Sequence, residues 1–278
     1  MTGRAAWVRG DASGLQIPAH AEALQAGGAA FLTEAFRASG ALAADARVVR
    51  ITQSEECAGG STGCKLLLAV EYDRSAAAPH RNLFVKFSRD FDDPVRDVGR
   101  AQMEREVRFA QLSRVHGFPI AVPVCYFADF HRETGTGVLI TERIAYGRGG
   151  IEPHHEKCRD HEMPDAYAHY EALVTALARL AGAHRAGSLG AEVAALFPFE
   201  PDQLVVGARA AYSAEQLRRR IRRYAEFAQA YPQLLPARVR APGFIAWLEN
   251  EVVRVADNEA AIRDELRSRP EMIALCHW

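Results

Sequence analysis

The spacing of apolar residues changes character twice along the chain. Over residues 19–40, Leu24, Phe31, Leu32 and Phe36 recur at helical intervals, and Gly27-Gly28 is a weak point within the helix they predict. From Ala46 the pattern becomes strand-like. Ala46–Thr52, Lys65–Tyr72 and Asn82–Ser88 are short runs rich in β-branched and aliphatic residues, with turn-rich segments such as CAGGSTGC (57–64) between them. A helix is expected from Val98 to Val115, ended by Gly117 and Pro119. Two more strands follow at Val122–Phe130 and Gly137–Ile144, joined by a turn at Glu133–Thr136.

Beyond Ala145 the helical period returns. A polar loop leads to a helix starting near Asp165, on which Tyr170, Leu173, Val174, Leu177, Leu180, Ala181 and His184 share one face. Two further amphipathic helices are expected at about 203–230 and 242–268, set apart by Pro232, Pro236 and Pro242. Met272–Trp278 reads as the start of another strand. A β-rich half followed by a helical half predicts an α+β fold of two lobes, 1–145 and 146–278, with a cleft between them.

Composition narrows the function classes. The 278 residues include 49% hydrophobic and 25% charged positions, enough for a real core, and carry a formal net charge of -1. That balance gives no general attraction to nucleic acid or anionic membrane. The N-terminal run MTGRAAWVRGDASG lacks the apolar stretch of a secretory signal, and even the apolar Leu173–Ala183 is broken by Arg179. The five irregularly spaced cysteines suggest reduced thiols, so a cytoplasmic protein is expected.

Candidate chemistry begins with Lys86, in the middle of the apolar strand Leu83-Phe84-Val85-Lys86-Phe87. A lysine there must snorkel out or find an anion. Taken alone, it also suits an edge strand guarded against association. The next helix offers the anion. Glu104 is matched by Arg108 at i+4, whereas Glu106 shares the apolar side with Met103, Phe109 and Ala110. A strand lysine paired with an inward helix glutamate is the arrangement kinase-like enzymes use on ATP phosphates; a purely structural ion pair is the alternative. Gly59, Gly60, Ser61, Thr62 and Gly63 precede this lysine as a loop able to bring backbone N–H groups close to phosphates, though it is also an ordinary hairpin turn by composition. Glu142, Arg143 and Ile144 close the β-rich half, where backbone could meet an adenine edge.

Two other clusters stand out. Glu152, His154, His155, Cys158, His161 and Glu162 lie close together in the interlobe loop; they suit a transition metal, substrate contact or plain solvation. Arg218–Arg223 (RRRIRR) surrounds Ile221, while Leu217, Ile221 and Tyr224 face inward, which predicts a solvated helix face.

Several runs, in order, resemble the aminoglycoside phosphotransferase and ecdysteroid/choline kinase-like families. EREVRFAQL (104–112), VPVCYFAD (122–129) and GVLITER (137–143) are similar to their helix–strand–strand signature. EALVTALARLAGAHRAG (171–187) resembles a helix of that family, with His184 in its histidine place, and ALCHW (274–278) resembles the strand opening its catalytic loop, where His277 would brace the loop. Trp278 stands where the family has glycine. The resemblance implies ATP and Mg²⁺ as cofactors and a hydroxyl of a small molecule as phosphoryl acceptor. It also implies a substrate cap at about 203–268. The catalytic aspartate and the metal ligands are expected past Trp278, which would leave this chain alone inactive. A non-catalytic nucleotide-binding module of the same fold and a metal-binding protein using the 152–162 cluster are the rival expectations. No nucleic-acid or membrane partner is expected.

Overall fold

The computed structural model describes residues 6–57, 63–74, 78–93, 96–156, 159–199 and 212–276. The expected loop residues Gly59, Gly60, Ser61 and Thr62, the cluster residue Cys158, and the terminal His277 and Trp278 lie outside the described residues. The chain divides into two compact units, 1–198 with 276–278, and 199–275. The molecule is α+β.

The first unit opens with a short antiparallel hairpin, β1 (Trp7–Arg9) and β2 (Gln16–Pro18). Helix α1 (Ala21–Ala38) follows, its first turn capped by the His20 ring, which accepts from the Ala23 amide. Gly28 breaks the helical geometry inside it with φ 53° and ψ -140°, as the Gly27-Gly28 pair predicts. Gly27 has a second reason to lack a side chain, because a Cβ there would run into the Trp7 ring.

Five strands then make one antiparallel sheet: β3 (Val48–Glu56), β4 (Lys65–Tyr72), β5 (Asn82–Phe87), β6 (Cys125–His131) and β7 (Thr136–Glu142). Their spatial order is β3-β4-β5-β7-β6. Strands β3 to β5 form a meander, and α2 (Arg96–Leu112) carries the chain from β5 across to the far edge strand β6. The last strand, β7, therefore fills the space between β5 and β6.

Alternation along the strands divides the sheet into two faces. Leu66, Leu68 and Val70 of β4, Leu83, Val85 and Phe87 of β5, and Val138 and Ile140 of β7 are buried on one face, in a single core with Leu24, Phe31, Leu32 and Phe36 of α1. At roughly 1.5–3 kcal/mol for each fully buried aliphatic or aromatic side chain, this face dominates the stability of the unit. The opposite face is only partly covered. There α2 sets Met103 and Val107 against Phe130, with Ala128 and Leu139 beside them.

The first unit continues with α3 (Ala166–Arg185), capped by the Asp165 side chain on the Ala168 amide, and a short α4 (Glu192–Leu196). The apolar face expected on α3 is present, but it is covered only toward its C-terminal end. Leu180 is buried, Leu177, Ala181 and His184 are half-buried, and Tyr170, Leu173 and Val174 are exposed.

The second unit is helical: α5 (Ala214–Ala230), α6 (Ala237–Arg240), α7 (Pro242–Asp257) and α8 (Glu259–Arg267). The helix expected over 242–268 is thus two, parted at Asn258, which has non-helical φ and ψ. Leu217, Ile221 and Tyr224 of α5 are half-buried while its arginines are exposed, so the basic run is a solvated face, as its spacing predicts. The described part of the strand expected over Met272–Trp278, residues 272–276, forms no strand. Pro270–Met272 makes a single 3-10 turn and Ile273–Cys276 has no regular structure. An apolar run becomes a strand only when a neighbour supplies N–H and C=O groups to pair with, and the described residues of this unit form no strand.

Candidate functional site

The partly covered face of the sheet holds the charged residues that the sequence singles out. Burial of its two flanking neighbours on the α1 face fixes β5 in register, so Lys86 must point to the other side. There it forms an ion pair with Glu106 of α2. The side chains retain 11% and 20% of their exposure, so each charge needs the other. Two residues earlier, the half-buried Glu104 takes Arg108 at 2.6 Å and Arg132 at 2.7 Å instead. The division of labour between the two acids is the one their helical spacing predicts.

Strand register brings a further lysine to this place. Lys65 of β4 lies directly across from Lys86, and Leu139 of β7 lies on its other side. Two residues along, Leu67, Phe84 and Thr141 face one another across the same three strands. Leu67 and Phe84 are half-buried, giving an apolar strip beside the two ammonium groups. The sequence signal for Lys65 is its odd spacing from the core-facing series Leu66, Leu68 and Val70 on KLLLAVEY, but only cross-strand register identifies its neighbour.

The connection from β3 to β4 returns against the end of β5. The Phe87 amide donates to the Cys64 carbonyl at 2.9 Å, and the Cys57 amide to the Lys65 carbonyl at 3.1 Å. Gly63 has φ 143°, and a Cβ there would collide with the Phe87 carbonyl oxygen, so only glycine lets the loop close at this point. Cys64, half-buried with its Sγ 3.6 Å from Asp90, has its thiol pushed up by burial and then by the Asp90 charge. It is not an activated nucleophile.

At the end of β7, the Glu142 amide donates to the Val124 carbonyl at 2.9 Å and the Arg143 amide to the Asn82 carbonyl at 3.0 Å. The Glu142 carboxylate also accepts from the Val124 amide at 3.0 Å. Two of the three residues expected to meet an adenine thus already use their N–H groups in the sheet. The Ile144 amide remains as the candidate in that run.

A second cluster forms where the loop after β7 meets α3. Glu152 lies between two imidazoles, 2.7 Å from His169 Nδ1 and 3.3 Å from His155 Nε2. Of the residues singled out between 152 and 162, His154 instead packs edge-on against Tyr146, with ring centroids 5.1 Å apart. Glu162 is held by Arg159, which also takes Glu156, and His161 lies 3.6 Å from Glu162. His169 sits outside that stretch of sequence. It joins the cluster because the turn Asp160–Glu162 and the Asp165 cap reverse the chain into α3, which nothing in the spacing of the histidines reveals.

Two hollows of the described surface lie elsewhere. One is a groove between α1 and β3 lined by Thr33, Glu34, Arg37 and Arg47, and the other is a dip beside Asp11, Ser13 and His131. No helix among the described residues is long and apolar enough to cross a membrane. No family model, curated protein or solved structure matches the chain.

Proposed function

We propose that the first unit is the nucleotide-binding half of a protein-kinase-like small-molecule phosphotransferase, taking ATP on the Lys86 face of its sheet. The observation that carries this reading is the Lys86–Glu106 ion pair, made between a central strand and the helix that leads from it to the far edge. Three strands, a helix and two further strands, in that chain order in one antiparallel sheet, are what the resemblance to aminoglycoside phosphotransferases leads one to expect.

In this reading Glu106 fixes the Lys86 ammonium so that it meets phosphate oxygens without having to be ordered first. Lys65, across the strand pair, adds a second positive charge at the same end of the strip. The loop 59–63 would lie over the phosphates, anchored at Gly63. The half-buried Leu67 and Phe84 would take the flat face of the base, and the Ile144 amide its edge. Mg²⁺ would enter with the nucleotide, and none of the residues named above is assigned to it. The acceptor would be a hydroxyl on a small molecule.

Binding is tested by the ATP-dependent rise in melting temperature, which follows mass action on the folded state. Lys86→Met leaves Glu106 half-buried and unpaired, so the variant itself should lose about 3 kcal/mol. The quantity to compare is therefore the increment that ATP adds to each protein. The increment should vanish in Lys86→Met and shrink in Glu106→Gln, which keeps the shape without the charge. An equal increment in wild type and Lys86→Met would overturn the reading. ATP consumption against a panel of hydroxylated compounds then separates a transferase from a binding module.

A further inference from the structure

We propose that Glu152, His155 and His169 form a binding site for a divalent transition metal of the zinc type, fastening the loop after β7 to helix α3. The inference does not rest on the nucleotide reading.

One donor atom from each of the three residues lies within 4.8 Å of the other two. Zinc bound at about 2.0–2.2 Å with tetrahedral angles holds neighbouring ligand atoms about 3.4 Å apart. The two imidazoles approach different oxygens of Glu152, His155 Nε2 lying 3.3 Å from Oε1 and His169 Nδ1 2.7 Å from Oε2, so the ligand atoms must part slightly to admit an ion between them. Small side-chain rotations suffice, because all three residues sit on a loop and the first turn of a helix.

His155 adds an observation independent of the spacing. Its Nε2 is buried and has no hydrogen-bond partner among the described residues, although it lies 3.3 Å from the Glu152 carboxylate. A buried ring nitrogen left in this way costs free energy, and a metal ion between it and the carboxylate would satisfy both.

The donor set gives the class of metal. Two imidazole nitrogens and one carboxylate suit zinc, cobalt or nickel, whereas magnesium and calcium prefer all-oxygen shells. Three protein ligands leave a fourth position for water or an oxygen of a bound molecule. The surroundings orient the ligands. The His155 and His169 rings meet edge-on with centroids 5.5 Å apart, and Tyr170 backs His169 at the same distance.

The test uses the full chain, tag-free and stripped with a chelator, titrated with Zn²⁺ alone and with Mg²⁺ as control. One equivalent of Zn²⁺ should bind and raise the melting temperature, and Mg²⁺ should not. Glu152→Gln and His169→Ala should each weaken Zn²⁺ binding more than about tenfold. His154→Ala, whose ring packs on Tyr146, should leave it unchanged. Co²⁺ should give the visible absorption of a four-coordinate site in wild type and lose it in His169→Ala. Absence of stoichiometric Zn²⁺ binding, or binding that Glu152→Gln and His169→Ala leave unaltered, would overturn the proposal.

Discussion

Asp129 is a fully buried carboxylate in edge strand β6, and its partners are mostly backbone amides. Its oxygens accept from the amides of Ala12 at 3.0 Å, Ser13 at 2.8 Å and Phe130 at 2.7 Å, and from the Ser13 hydroxyl. Gly10 passes so close that a Cβ would overlap the carboxylate. An ionised acceptor with several donors is worth more than neutral hydrogen bonds, and Asp129→Asn turns an acceptor into a donor facing N–H groups. That variant should lose about 3 kcal/mol, read as a lower urea midpoint with an unchanged slope. Nothing in the sequence distinguishes Asp129, because its partners from Ala12 and Ser13 lie more than a hundred residues earlier. Lys86 and Glu106 were legible for the opposite reason. Each is a charge placed where the apolar period calls for something else, so each advertises its need for a counter-charge. The Glu152–His155–His169 cluster was legible in part: the loop residues are conspicuous, while His169 arrives through a chain reversal.

Strand positions in the sheet follow from alternation. Lys65–Tyr72 is found at its expected bounds, and the other expected strands shift by a few residues at their ends. The β1–β2 hairpin escapes that logic. Three residues per strand are too few to show a period, and the hairpin is held by Val8 and Ile17 entering the α1 core. The break between α7 and α8 is hidden too, since the amphipathic pattern runs through Asn258 without a proline or glycine. Helix starts are clearer. Ser213 accepts from the Gln216 amide at 3.2 Å while the Gln216 side chain accepts from the Ser213 amide at 2.8 Å, a reciprocal cap. Ser213→Ala should remove about 1 kcal/mol and lower the melting temperature of the helical unit, with little loss of helical signal below the transition. A melting curve unchanged by this substitution would mean that α5 is held by packing rather than by its cap.

The two units differ in how they are held. The first has a deep core between α1 and the sheet, whereas among the described residues of the second only Ala228 is buried. Thiol chemistry reports on the first unit directly. The four described cysteines are unpaired, with Cys125 buried and Cys276 exposed. Burial pushes the Cys125 thiol up to about 11, so both access and ionisation oppose its reaction at neutral pH. Cys276 should be alkylated within the mixing time, and Cys125 only at the rate at which the sheet opens. Raising the pH through the ordinary thiol range should not speed Cys125 labelling as it would for an exposed thiol. The Asp129 clasp bears on how this unit comes to exist. The loop it receives is synthesised 117 residues before the carboxylate does. The first hairpin must therefore leave the ribosome with its docking site unmade and wait for β6, at a synthesis rate of roughly 5–20 residues per second. The clasp cannot close until β6 has been made, and a contact of such long range slows folding of the unit as a whole.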